Sequence, residues 1–260
     1  KMTQQHIKIP TTWQQFEKET AKIVTPNQWA ISINPTDMGA ELAIVMTRSF
    51  GGKLVKNNQP NFNTPAAIKA MNLMKSLENS GAMKLGSGYP GDEAFGSDHA
   101  LFHLTTTDGY YYDYEADGGK FTIGTAVLPT GSHGQNGNII GGDDLAIFSQ
   151  ASTAQKQAAW TFLKWLSEPK QTAYWATHTG YLPVNKQAVP LMKKYLATHQ
   201  YKEIGIKELK TATPGTRAAN WSEAEHDWAV ALQEVLVGKE SPQTALAAAQ
   251  GQAKTAMAGS

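Results

Sequence analysis

Cysteine is absent from the 260-residue sequence. A chain without thiols has no disulfide, no thiolate metal site and no cysteine nucleophile. An excess of one charge is also missing, because 23 basic residues stand against 22 acidic ones and the net charge is +1. A general nucleic-acid-binding protein needs a clustered basic excess to neutralise phosphates. The composition therefore does not favour that class.

Long apolar runs are missing as well. No stretch approaches the roughly 20 apolar residues that span a bilayer. The first ten residues, KMTQQHIKIP, lack the apolar segment of a signal peptide. If the protein is exported, we expect its targeting segment to lie outside this sequence.

Periodic patterns predict both helices and strands. Apolar residues at helical spacing, often after capping residues such as Thr12 and Ser152, predict helices. These cover about 12–24, 41–50, 64–80, 152–166, 167–179, 222–237 and 241 onwards. Segments rich in β-forming residues predict strands at 29–33, 99–106, 120–129 and 139–148. Strands that alternate with long helices indicate an α/β fold.

A glycine-rich stretch, GSGYPG at 86–91, formally matches the dinucleotide fingerprint G-x-G-x-x-G. That fingerprint follows a strand and opens a helix, so that a phosphate meets the helix N-terminus. Here a predicted helix precedes the stretch and Pro90 interrupts it. We therefore expect an ordinary loop.

No metal site is predicted. DYEADGG at 113–119 begins like a calcium loop, but Gly124 stands where the bidentate glutamate is required, which indicates a solvated turn. The seven histidines include no H-E-x-x-H motif and no close pair. His103 lies within a predicted strand and is expected to be a packing residue.

An enzyme is not indicated either. The sequence has no G-x-S-x-G nucleophile motif. Asp143 and Asp144 could serve as paired glycosidase carboxylates, but neighbouring strand residues point to opposite faces and cannot both flank one bond. A glycosidase thus remains only a third hypothesis, which needs two carboxylates facing each other across a cleft.

Aromatic residues are plentiful, with seven Trp, nine Tyr and eight Phe. Tyr110, Tyr111, Tyr112 and Tyr114 cannot all be buried, because consecutive positions of a regular element point in different directions. Exposed rings beside polar groups suit a sugar or a small polyol. A tyrosine-rich surface turn explains the cluster equally well.

Several segments resemble one known family. These are PTTWQQFEKETAKI (10–23), GSDHALFHLTTTDGYYY (96–112), KFTIGTAVLPTG (120–131), IIGGDDLAIF (139–148), AAWTFLKWLSEP (158–169) and AYWATHTGYLPVNK (173–186). In this order they are similar to segments of the extracytoplasmic solute-binding proteins of ABC importers. The likeness is to the carbohydrate-type group that includes maltose-binding and glycerol-3-phosphate-binding proteins, and it spans essentially the whole chain.

The resemblance implies a periplasmic-binding-protein-like α/β fold with two lobes that close on a ligand. Residues 1–137 and 181–260 would form the second lobe, and 138–180 a hinge strand and returning helices of the first. Most of the first lobe would be missing, so the helices of 152–179 would have to pack on another chain or rearrange. A non-enzymatic receptor without cofactor is implied, with a solute and permease subunits as partners. Its location would be extracytoplasmic, through a lipid anchor on a missing segment.

The resemblance also implies site residues. IIGG, TGYLPV and PGTR (214–217) look most like the glycerol-3-phosphate-binding branch. Ligand contacts carried over from that branch fall on Thr105 or Thr106, Gly141 or Gly142, Tyr181 and Arg217. A guanidinium binds phosphate bidentately, which suits Arg217.

The sequence also departs from that branch. The branch has serine where this chain has threonines 105–107, and Asp143 and Asp144 replace small or polar residues. Carboxylates repel a phosphate, which favours a neutral sugar or a zwitterionic phosphodiester. We therefore add Asp144 to the candidate site, together with Trp221, whose ring suits sugar stacking. The ligand stays open between a glycerol phosphate ester and an oligosaccharide, and a glycan-binding module without a transporter is the alternative of another class.

Overall fold

The computed structural model describes residue 2 and residues 5–258. Eleven α-helices and six short strands lie within this part of the chain. In chain order they are α1 (Trp13–Thr20), β1 (Ile31–Ile33), α2 (Met38–Ser49), β2 (Val55–Lys56), β3 (Gln59–Pro60), α3 (Pro65–Asn79), β4 (Met83–Leu85), α4 (Pro90–Gly96), α5 (Gly109–Asp117), β5 (Ile139–Ile140), α6 (Thr153–Leu166), α7 (Pro169–His178), a 3-10 helix (Lys186–Met192), α8 (Lys193–Leu196), α9 (Gln200–Glu208), β6 (Thr213–Pro214), α10 (Trp221–Leu236) and α11 (Pro242–Ala258).

Most of the core lies among α1, β1, α2, α3, β4, α10 and α11. Trp13, Phe62 and Trp228 are fully buried there, and the Phe62 and Trp228 rings meet edge to face with centroids 5.4 Å apart. The indole N–H of Trp228 donates to the Ala40 carbonyl at 3.2 Å, so this large side chain is buried with its polar atom satisfied. The sequence explains the helix starts: Thr64 accepts a hydrogen bond from the Ala67 amide just before Pro65.

Parallel strands define one edge of this body. β1 pairs with β4 in parallel, Ile31 opposite Met83. On its other side the amides of Leu101 and Phe102 donate to the carbonyls of Trp29 and Ala30. Three loops therefore follow the carboxyl ends of neighbouring extended segments at one edge: 34–37, 86–89 and 105–108. Open α/β sheets bind ligands at this edge.

A second pair of parallel strands, β5 and β6, lies at the two ends of the segment that contains α6 to α9. β5 pairs with β6, with Ile139 opposite Thr213 and Ile140 opposite Pro214. Between these strands the chain runs through α6 and α7 and returns through the 3-10 helix, α8 and α9. Ala173, Ala176, Ala188 and Met192 form a small separate core between α7 and the 3-10 helix.

Helix α6 has no buried residue within the described chain. Trp160, Phe162 and Trp165 are each about half exposed, as is Trp175 of α7. The helix nevertheless has a complete capping box, since Ser152 accepts from the Gln155 amide and the Gln155 side chain accepts from the Ser152 amide. Its formation is thus explained locally, while its apolar face has no partner among the described residues.

Three predicted strands are wrong or shortened. The segment 99–106 is extended but bonds to β1 on one side only, with a single bridge between Trp29 and Ala100. The segment 120–129 is mostly exposed and forms no ladder within the described residues. Of 139–148 only Ile139–Ile140 is a strand, because Gly142 takes a φ of +144° and the chain beyond it leaves the pair.

Three local interpretations also change. β4 lies between α3 and the glycine-rich stretch, which therefore follows a strand and opens α4, contrary to the predicted context. Helix α4 has only seven residues and Asp92 and Glu93 in its first turn, charges that repel a phosphate. The 113–119 turn is instead mostly helix α5, ended by Gly118 in the left-handed conformation. Helix α10 begins at Trp221 after Asn220, one residue before the predicted start at 222.

Candidate functional site

Tyr181 follows α7 at the place where the chain re-enters the main body. Gly180, just before it, packs directly against the turn at Asp108: a Cβ on Gly180 would lie 2.2 Å from the Asp108 Cα. No side chain fits into that gap, so glycine is required by close approach. The contact fixes Tyr181 beside the 105–108 loop.

The Tyr181 ring and hydroxyl face the segment after β5. The hydroxyl donates to Asp143 Oδ2 at 2.8 Å, and a Cβ on Gly142 would lie 3.9 Å from the ring. This hydrogen bond raises the pKa of Tyr181, because the Asp143 carboxylate stabilises the protonated phenol. The negative charge of Asp143, desolvation and the negative charge of Asp108 raise the pKa further. Tyr181 therefore remains a neutral donor at physiological pH.

Lys202 holds the backbone on either side of Gly180. Its side chain is fully buried, and Nζ donates to the carbonyls of Thr179 and Tyr181, both at 2.8 Å. Burial lowers the pKa of Lys202 to about 8, while the Asp108 charge opposes that shift. One ammonium thus fixes the position of Tyr181 from beneath.

The candidate threonines belong to the loop whose Asp108 packs against Gly180. Thr106 Oγ1 donates to Asp108 Oδ1 at 2.5 Å, so this hydroxyl is already engaged. Thr105 Oγ1 lies against Gly109 at the start of α5, where a Cβ would come within 2.2 Å of it. Both therefore line the loop that packs on the tyrosine segment.

Arg217 follows β6 by three residues, and β6 is the strand that pairs with β5. Because β5 and β6 are parallel, Gly141 directly after β5 lies level with Gly215 directly after β6. Arg217 is exposed and forms no hydrogen bond or ion pair with any residue described. β6 itself is held by Arg48, whose guanidinium donates to Thr213 Oγ1 and, at 3.3 Å, to the Pro214 carbonyl. The two arginines therefore differ: Arg48 is structural, and Arg217 is available to a ligand.

Two further candidates have different surroundings. Trp221 is partly buried at the start of α10, edge-on to Phe62 at 6.1 Å, and packs against the main core. Asp144 is exposed and bonds to no residue within the described part of the chain. The carboxylate that meets Tyr181 is its neighbour Asp143.

The structure brings two of the predicted residues, Gly142 and Tyr181, into contact and adds residues that sequence reasoning missed. The Thr106 loop packs on Gly180. Missed were the roles of Asp143, Asp108 and Lys202. Asp143 had been considered as a glycosidase carboxylate and as a charge that repels phosphate, but not as the partner of Tyr181. Nothing in the sequence pairs Lys202 with carbonyls 21 and 23 residues away.

Both signs of charge surround these residues. Asp143, Asp144 and Asp108 are acidic, the buried Lys202 offsets Asp108, and Arg217 is an exposed cation. Helix α5, which follows Asp108, carries exposed tyrosines, among them Tyr112, which is 66% exposed. The arrangement offers an anion-binding guanidinium, carboxylates for a cation or hydroxyls, and aromatic faces.

Comparison with known proteins gives a consistent result. A family model described as bacterial extracellular solute-binding protein matches residues 1–203. The sn-glycerol-3-phosphate-binding periplasmic protein UgpB of Pectobacterium atrosepticum is 23% identical over 256 residues. That alignment covers 91% of this chain and 57% of the relative, so the chain spans little more than half the relative's length.

Solved structures confirm the periplasmic-binding-protein-like fold. UgpB from Mycobacterium tuberculosis in complex with glycerophosphocholine superposes with a TM-score of 0.87 at 20% identity, over 99% of this chain and 66% of that one. The sugar-binding protein MalE from Xanthomonas citri gives 0.82 at 22% identity, over 96% and 64%. Among the described residues, no helix is long and apolar enough to cross a membrane.

Proposed function

Because the chain belongs to the bacterial extracellular solute-binding proteins, we propose that it is a non-enzymatic solute receptor of an ABC importer. It binds a small solute beside Gly142, Tyr181 and Arg217 and delivers it to permease subunits. The observation that carries the proposal is the parallel register of β5 and β6, with the glycine pair directly after β5 and Arg217 three residues after β6. The Tyr181–Asp143 hydrogen bond supports it.

The solute we favour is a zwitterionic glycerophosphodiester. Arg217 has no partner among the described residues and can bind a phosphate through two parallel N–H groups. The nearby carboxylates of Asp143 and Asp144 disfavour a doubly charged phosphate monoester but suit a cationic headgroup. Two similar proteins agree with this class. The Pectobacterium atrosepticum relative is named as an sn-glycerol-3-phosphate-binding protein, and the Mycobacterium tuberculosis structure is a complex with glycerophosphocholine.

An oligosaccharide is the second candidate. Tyr111, Tyr112 and Tyr114 are each more than half exposed on α5, and aromatic faces pack against the C–H faces of sugars. The likeness to the sugar-binding protein MalE fits this class. In that case Asp143 and Asp144 would accept hydrogen bonds from hydroxyls, and Arg217 would contribute little.

The domain division belongs to the same proposal. Residues 138–180 form a hinge strand and two helices of a first lobe, and the rest forms the second lobe. The half-exposed rings of α6 and α7 would then be covered by further parts of that first lobe. The receptor is extracytoplasmic, and a lipid anchor at the cell surface fits this role.

Calorimetric titration tests the proposal. The chain is titrated with glycerophosphocholine, glycerol-3-phosphate and maltotriose, beside Arg217→Ala and the control Lys210→Ala. Lys210 is an exposed residue just after α9, and its removal changes the net charge equally. Charge-assisted bidentate bonds contribute about 1.5–3 kcal/mol, so we expect about 10- to 100-fold weaker glycerophosphocholine binding for Arg217→Ala alone.

Each outcome decides between the candidates. Equal loss in both variants means that only general charge matters and removes the role of Arg217. Binding of maltotriose alone, unaffected by Arg217→Ala, selects the oligosaccharide candidate. No binding of any of the three overturns the solute proposal.

A further inference from the structure

Three side chains with metal-binding chemistry lie close together outside the proposed solute site. Asp92 lies in α4, His103 in the extended segment beside β1, and Asp113 in α5. Each offers one ligand atom, and these atoms all lie within 4.8 Å of one another. None of the three belongs to the solute-binding residues proposed above.

The cluster is enclosed. The His103 and Asp113 side chains are only 8% and 5% exposed, and His103 Nδ1 lies 2.7 Å from Asp113 Oδ1. The ring is accommodated by Gly91, where a Cβ would lie 2.4 Å from His103 Nε2. Any other residue at position 91 would displace the imidazole, so the backbone is shaped around it.

The cluster holds more acidic than basic groups, and Asp92 is partly exposed. Two carboxylates face one imidazole, and even a protonated imidazole leaves one negative charge. Buried carboxylates are costly unless they are paired or bind a cation.

We propose that Asp92, His103 and Asp113 bind one divalent transition-metal ion of the zinc type. Imidazole and carboxylate together suit such ions, and three protein ligands leave a position for water. With a neutral imidazole, the two carboxylates neutralise the charge of the ion. Calcium fits poorly, because it takes six to eight oxygen ligands.

The position of the cluster gives the ion a structural role. The cluster connects three parts of the chain: α4, the segment of His103 and α5. Thr105 follows His103 by two residues, and Tyr112 directly precedes Asp113. An ion there would hold the 105–108 loop and the exposed tyrosines of α5 in place. The chain would be stabilised by zinc, since a ligand that binds only the folded state stabilises it.

Zinc titration of the chelator-treated chain tests this proposal. Isothermal calorimetry with Zn²⁺ alone is combined with thermal unfolding, and Co²⁺ serves as a spectroscopic probe through its visible absorption. We expect one ion per chain and a higher Tm with zinc. The variants are Asp92→Asn and His103→Gln, with His133→Gln as control, because His133 is exposed and outside the cluster.

The expected pattern is specific. Asp92→Asn weakens zinc binding by at least about tenfold, by analogy with the effect of removing a supporting group. His103→Gln abolishes the Co²⁺ absorption, and His133→Gln leaves both unchanged. His103→Gln removes a buried contact and can therefore prevent folding. In that case Asp92→Asn, at a partly exposed position, is the deciding variant. Absence of zinc binding, or binding lost only in His133→Gln, would overturn the proposal.

Discussion

At the scale of single residues, the site depends on contacts between distant parts of the sequence. The resemblance of TGYLPV and IIGG predicted Tyr181 and Gly142, and the structure brings the two together. It did not predict the partners of Tyr181, because Asp143 lies 38 residues away and Lys202 21 residues away. Lysine is rarely fully buried, so nothing in the sequence singled out Lys202.

Lys202→Met tests the role of this buried ammonium. Methionine keeps the length and apolar packing of the stem but leaves the carbonyls of Thr179 and Tyr181 without a donor. We expect a loss of about 1–3 kcal/mol in the free energy of unfolding, the cost of unsatisfied buried groups, and weaker solute binding. Urea unfolding measures the first and titration the second.

Lys207→Met is the matched control on the same helix. Its Nζ pairs with Glu203 at 3.0 Å on the surface, an interaction that contributes about 0–1 kcal/mol. If Lys202→Met and Lys207→Met were equally stable, Lys202 would not hold the tyrosine segment.

At the scale of elements, helices were predicted better than strands. Helices α1, α3 and α6 begin at the caps Thr12, Thr64 and Ser152, because capping is a local property that sequence carries. Strand pairing depends on neighbours far along the chain, so 120–129 had β-forming residues and no partner. The proposed metal site likewise depends on distant parts of the chain. Asp92, His103 and Asp113 come together only when α4 and α5 pack on the segment of His103.

Two carboxylates meet where α2 packs near α10, and they predict a pH dependence. Burial raises the pKa of Glu41 from 4.5 to about 7, and Glu225 adds to the effect through its charge and a hydrogen bond. A raised pKa means that the folded state binds the proton more tightly, so the stability this group contributes is present below about pH 4.5 and is lost as pH rises through about 7.

Glu41→Gln removes this dependence. We expect the variant to be more stable than the unmodified chain at pH 8, by on the order of 1 kcal/mol after solvent screening, and equally stable near pH 4.5. Urea unfolding at both values measures the difference. Glu223→Gln, exposed in the first turn of α10, should show no such change, and an effect of equal size there would contradict the assignment to Glu41.

At the scale of the whole molecule, the α/β prediction came from periodicity, whereas the periplasmic-binding-protein-like fold came from the order of several weak motifs. The superposition on UgpB at 20% identity confirms that fold. The domain division at 137 and 180 stays a prediction. The exposed rings of α6 and α7 agree with the expectation that these helices need a partner surface.

Residue-resolved NMR tests the central claim most directly, since amide shifts report weak binding at each position. The labelled chain is titrated with glycerophosphocholine. We expect the largest shifts at Gly141 and Gly142 after β5, at Tyr181, whose ring lies beside Gly142, and at Arg217 after β6. Shifts concentrated on the exposed face of α6, or no shifts at saturating solute, would contradict the claim.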